Sequence, residues 1–178
     1  VANRNDIAEF LKDAVDFAAP APRKTLSDVQ IVRVKMGQVF QAFILEDKMT
    51  EVQTHWVDER SLPCLEPKRR CPWCEKHMRQ RWYGYLPCQV CSTGRLCLLQ
   101  VTPGLHRAIP ELQLGNDLLH RRITVKRVSP GTRGRLTGTI DKFNPPGLTF
   151  HPTPNVREIL SNIWSGPLSE LMPDLGME

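Results

Sequence analysis

Seven side chains dominate the chemistry open to this chain: His55 and the cysteines Cys64, Cys71, Cys74, Cys88, Cys91 and Cys97. Four of the cysteines form two Cys-x-x-Cys pairs, Cys71/Cys74 and Cys88/Cys91, with thirteen residues between them. Such a turn curls two thiolates to one side and so supplies half of a tetrahedral zinc site. Cys71 and Cys74, in RCPWCE, are the leading ligands. The other half is open on spacing alone. Cys88 and Cys91 complete a zinc ribbon if Glu75 to Pro87 folds back on itself near Gly84. If Arg81 to Pro87 is one strand, it spans roughly 20 Å at about 3.3 Å per residue. Cys88 is then out of reach of a bond of about 2.3 Å, and the partners lie upstream, in Cys64 and in His55 of THWVDERSLPC. Cys97 alternates with Leu96 and Leu98 and reads as a structural thiol.

The chain has no HExxH or His-x-Glu signature, no phosphate-binding glycine loop and no nucleophile with a matching base. The expected zinc is therefore structural, closing an insertion too small to fold alone, and no enzyme is expected.

Charge is the second chemical signal. A net charge of +5 is modest, but its distribution is uneven. Lys68 to Arg81 holds six cations against one acid, and Leu118 to Ile140 holds six more with none. A polyanion is the expected partner. Non-specific binding of single strands needs cations for phosphates and flat rings for bases. RQRWYGYLP offers Arg81, Tyr83 and Tyr85 on one face of an extended strand, with Trp82 assigned to the core. RRITVKRVSPGTRGRLTG offers Lys126, Arg127, Arg133 and Arg135 as a second wall, and Lys68, Arg69 and Arg70 extend the path.

The elements that must position these groups follow from periodicity. Residues 1–20 carry an amphipathic helix, with Asp6 and Glu9 as a capping box and Pro20 as its stop; 21–28 is a proline-containing linker. From Val29 the period is two. VQIVRVKMG, VFQAFILED and EVQTHWVD read as strands, then RWYGYLP and LCLLQVT as a hairpin turning near Ser92, Thr93 and Gly94. A short helix, LHRAIPELQ, precedes a last hairpin, RRITVKRVS and GRLTGTID, and residues 141–178 form a proline-rich segment with one helix (Asn155 as cap) and an acidic terminus. The expected class is mainly β with peripheral helices: a meander closing into a small OB-like barrel over 29–140, with a zinc insertion at about 55–80. No apolar run approaches the roughly twenty residues of a membrane span, so a cytoplasmic protein is expected.

The succession THW, PC, CPWC, RWYGYL and an apolar strand resembles the zinc-containing OB domain of phage-type single-stranded-DNA-binding, helix-destabilising proteins. The resemblance covers about residues 29–140 and is loose, since eight residues separate His55 from Cys64 and six separate Cys64 from Cys71. It implies that His55, Cys64, Cys71 and Cys74 hold the zinc, and that Cys88 and Cys91 sit in a hairpin turn without metal. It also implies a non-catalytic protein that holds single-stranded nucleic acid, DNA above all, during replication, recombination or mobile-element processing in a bacterial or phage-infected cell. A zinc-ribbon adaptor docking on a nucleoprotein complex, through the N-terminal helix or the acidic tail, is the rival expectation.

Overall fold

A computed structural model describes residues 29–66, 70–115, 117–129, 135–143 and 145–171, without the side chains of 166 and 168–171. The expected helix at 1–20, the linker, Lys68, Arg69, Arg133 and the acidic end at 172–178 lie outside the described residues. The protein is mainly β with short helices. The described residues divide into two units, one containing Val52–Trp82 and the helix from Arg157 on, the other the strands from Val29 to Glu51 and Tyr83–Val156.

The larger unit is an open mixed sheet. Its strands are β1 (Gln30–Val32), β2 (Val39–Ile44), β6 (Leu96–Val101), β7 (Arg122–Arg127), β8 (Leu136–Asp141) and, from Tyr83 on, β5 (Gln80–Val90), in the spatial order β1-β6-β5-β2-β7-β8. The order is not the expected meander: β1 leaves its sequence neighbour β2 and pairs in parallel with β6, while β2 lies antiparallel between β5 and β7. The chain just after β1 reaches β7, where Met36 makes a parallel bridge with Arg127.

Burial follows position in the sheet. In β7, Ile123 and Val125 are buried while Lys126 is exposed, the alternation of a strand with one wet face. β5, flanked by β6 and β2, is buried without a break from Gly84 to Gln89. In β2, Phe43 is buried as well, because Phe150 covers it edge-on with ring centroids 5.6 Å apart.

The segment read as one helix is two, α2 (Pro103–Ala108) and α3 (Pro110–Leu114). Pro110 lacks an N–H and forces the residue before it into extended backbone, where Ile109 sits at φ −122° and ψ 99°. Thr102 caps α2 by accepting from the Leu105 amide at 3.2 Å, and Gly115 ends α3 at φ +61°. Ile109 is then buried against β8.

The smaller unit contains β3 (Thr50–Val57) from Val52 on, β4 (Arg60–Pro63), α1 (Pro72–Glu75) and most of α4 (Val156–Leu171). β3 and β4 form a tight hairpin whose turn residues, Asp58 and Glu59, both adopt left-handed backbone. α4 runs from the expected start, next to Asn155, through Pro167, and its buried Val156, Ile159, Leu160 and Trp164 make one stripe. Among the described residues no helix is long and apolar enough to cross a membrane.

Gly138, in β8, has no room for a side chain. An added Cβ would stand 2.6 Å from the Thr124 carbonyl oxygen and 2.7 Å from Ile109 Cδ1. Backbone cannot yield as a flexible side chain does, so Gly138→Ala should destabilise the protein by about 1–3 kcal/mol, read as a lower midpoint in urea with the slope unchanged.

Candidate metal centre

The hairpin and the first helix bring four ligand groups to one point. His55 comes from β3, Cys64 directly follows β4, Cys71 precedes α1 and Cys74 lies within it. The strand pair is fixed by register, Thr54 opposite Pro63 and His55 opposite Leu62, and the Cys64 amide donates to the Gln53 carbonyl at 2.7 Å. Pro72 starts α1, and its one turn closes when the Glu75 amide reaches the Cys71 carbonyl at 3.1 Å. Both sulfurs of the Cys-x-x-Cys pair are thereby set against the hairpin.

The ligand atoms of His55, Cys64, Cys71 and Cys74 all lie within 4.8 Å of one another. His55 Nε2 is 3.3 Å from Cys74 Sγ and 3.6 Å from Cys71 Sγ, and Cys64 Sγ is 3.6 Å from Cys74 Sγ. Metal bonds of about 2.0–2.3 Å in a tetrahedron put neighbouring ligand atoms roughly 3.5–3.8 Å apart. The spacing therefore fits a zinc-sized ion with three sulfurs and one imidazole. Three of the four residues are buried, and Trp73 packs beside the imidazole with ring centroids 5.9 Å apart. His55 Nδ1 is buried with no hydrogen-bond partner, and Nε2 is the ring nitrogen that faces the sulfurs.

Electrostatics point the same way. Burial pushes the Cys64 thiol up to about 12, and it raises Cys74 and lowers His55. Without a cation, burial holds the Cys64 and Cys74 thiols protonated at neutral pH; a divalent ion reverses the preference by displacing their protons. Gln80 adds a feature that sequence reading missed. Its Nε2 donates to both Cys64 and Cys74 sulfurs at 3.3 Å, a bond that strengthens when those sulfurs are thiolates. A glutamine six residues past a Cys-x-x-Cys pair carries no signal by itself; only the start of β5 aims it back.

The zinc-ribbon alternative is corrected. β5 runs uninterrupted from Gln80 to Val90 and does not fold back at Gly84. Cys88 is buried opposite Cys97 on β6, and Cys91 is exposed in the following turn, so neither joins the group.

The expected nucleic-acid residues divide. Tyr85 does not face solvent. It is buried in the doubly covered middle of β5, its hydroxyl accepts from Gln100 Nε2 at 3.3 Å, and burial lifts its pKa to about 12. Tyr83 is half-buried and Arg81 exposed, and these two fall in different units. Arg70 is exposed and paired with Glu75. Lys126 and Arg135 are exposed, whereas half-buried Arg127 directs its Nε to the Val34 carbonyl at 2.8 Å. Lys126 and Arg127 end β7 opposite Thr137 and Leu136, and the Val128 amide meets the Arg135 carbonyl at 2.9 Å, so the backbones of three named cations lie at one end of the strand pair, with the neighbours Lys126 and Arg127 on opposite faces. Lys35, not singled out from sequence, precedes the Met36 bridge to Arg127 and joins them.

No protein-family model matches the chain, and no curated protein or solved structure matches it.

Purified protein should carry one zinc ion per chain by elemental analysis. Cys64→Ser, Cys71→Ser or Cys74→Ser should abolish retention, while Cys88→Ser and Cys91→Ser leave it intact. Because a metal ion must displace the protons that burial keeps on Cys64 and Cys74, affinity should rise with pH and be lost on acidification, with net proton release on binding near neutral pH, measured as buffer-dependent heat in titration calorimetry.

Proposed function

We propose that this chain is a non-catalytic protein that binds single-stranded nucleic acid, DNA by preference, through an OB-like sheet, with zinc as a structural ion. Its setting would be replication, recombination or mobile-element processing. The observation that supports this reading is the position of Lys35, Lys126, Arg127 and Arg135 in the chain at one end of β7 and β8, where the described stretches 29–41, 122–129 and 135–140 contain no acid. Cations gathered without acids favour phosphates, whose counterions they release. Thr124, Thr137 and Thr139 lie on the solvent side of the same strands with Gln41, whose Nε2 donates to Thr124 Oγ1 at 3.3 Å, an uncharged polar floor suited to sugar and base edges without a sequence code. Four protein ligands leave zinc no open position, as in structural sites.

One feature favours the adaptor reading. Met36, Val39 and Val128 are exposed at this same end, at 54%, 57% and 44%, and apolar groups among cations also fit a protein partner. Salt separates the two. Binding of labelled oligo(dT) should weaken steeply with salt, with a slope of about −2 to −3 for some four phosphate contacts at roughly −0.7 each. The double variant Lys126→Glu/Arg135→Glu should lose at least about tenfold in affinity and flatten the slope by about 1.4. Negligible oligonucleotide affinity in the wild type at low salt, together with retained capture of a nucleoprotein partner, would replace this reading with the adaptor.

A further inference from the structure

The zinc unit carries an aromatic group that the metal does not use. Trp56 follows the ligand His55 on β3, so strand alternation sends the two rings to opposite sides. His55 is fully buried, whereas Trp56 is 38% exposed. Trp73, by contrast, is buried beside the imidazole. An exposed tryptophan on a short strand exposes apolar area that packing would otherwise remove from water.

Two neighbours give this ring a chemical context. The guanidinium of exposed Arg81, at the start of β5, lies over it at 5.5 Å from the centroid, and the strand is held there by Thr54 Oγ1 donating to the Arg81 carbonyl at 3.2 Å. Ser61, directly across the hairpin from Trp56, is buried at 8% exposure with no hydrogen-bond partner for its hydroxyl. An exposed flat ring and a neighbouring cation match one nucleotide, a base face and a phosphate, while the Ser61 hydroxyl is closed off from a ligand.

We propose that Trp56 and Arg81 form a stacking site for one nucleotide of a single strand, with the base on the indole and the phosphate on the guanidinium. The inference rests on the reading of the protein as a single-strand binder and places the ring contact on Trp56, in place of the buried Tyr85. The metal has a part in it. With His55 fixed to the sulfur cluster, β3 cannot twist about its axis, and the indole on its other side is presented in one orientation. The stacking surface is thus preorganised by a ligand bond one residue away.

The test uses the zinc-loaded full chain and fluorescein-labelled oligo(dT). Trp56→Ala should weaken binding roughly 5- to 150-fold, the range for one stacked base, with the salt slope unchanged. Trp56→Phe, which keeps a ring, should recover most of that loss. Arg81→Ala should lower the slope by about 0.7, one phosphate on a single strand. Quenching of intrinsic fluorescence by oligo(dT) should be largely lost in Trp56→Phe, although three other tryptophans remain. Each variant must still hold one zinc, so that loss of fold is not read as loss of contact. If Trp56→Ala binds as wild type while Lys126→Glu/Arg135→Glu does not, the stacking site is wrong and the function stands. If Trp56→Phe falls as far as Trp56→Ala, stacking is wrong too. If wild type does not bind oligo(dT), the reading beneath both has failed.

Discussion

Everything in the smaller unit depends on one electrostatic fact: three thiols and an imidazole are packed within 4.8 Å, with most of that surface out of water. Protonated, the cluster is a set of weak polar contacts; as thiolates without a cation, it would be mutual repulsion in a poorly solvated place. Only a bound ion turns it into a net attraction. The apolar inventory shows why the unit needs it. Between residues 52 and 82 the buried hydrophobic side chains other than cysteine are Val52, Leu62, Leu65 and Trp73. With Ile159, Leu160 and Trp164 of α4 the described part of the unit has seven such side chains, a small core for ordering some forty residues, and small units in this position are held by metals or disulfides.

β5 shows how one strand serves two environments. Its first residues belong to the metal unit, where Gln80 donates to two sulfurs and Arg81 reaches the indole. Its later residues are the covered centre of a sheet, where Tyr85, Leu86 and Cys88 are inaccessible. The sequence RWYGYLP changes role at Gly84, the closest approach to Met49, whose sulfur would lie 2.2 Å from an added Cβ. Aromatics before that glycine keep some exposure, and the one after it has none.

That boundary also marks what could be read from sequence. β7 was legible because Ile123, Val125 and Lys126 alternate, and α4 because its apolar residues recur at helical spacing. An extended Arg81 to Pro87 carries Cys88 away from Cys74 and makes Cys64 and His55 candidates, but the full ligand set comes from the family resemblance and not from spacing. Other features were not legible, for physical reasons. β4 is four residues long, ends in Pro63, and follows an Asp-Glu turn that offers no glycine for its left-handed backbone. Exposure of Tyr85 could not be judged from alternation, because alternation assigns faces and says nothing about whether both faces are covered. Parallel pairing of β1 with β6 is a long-range choice that local pattern does not encode. The role of Gln80 depends on where a strand begins in three dimensions.

On the nucleic-acid reading the contacts divide by kind. In the full sequence, residues 28–51 and 83–156 hold twelve lysines and arginines against seven acids, and residues 52–82 hold seven against four. Both stretches would attract a polyanion at long range, and that attraction fades as salt screens it. What the metal unit adds to that field is an exposed ring on the strand whose other face carries the ligand group His55. A contact made by dispersion and desolvation is nearly indifferent to salt. On that reading, grip by charge is lost as salt rises while grip by the indole persists, and the latter depends on whatever ion orients His55.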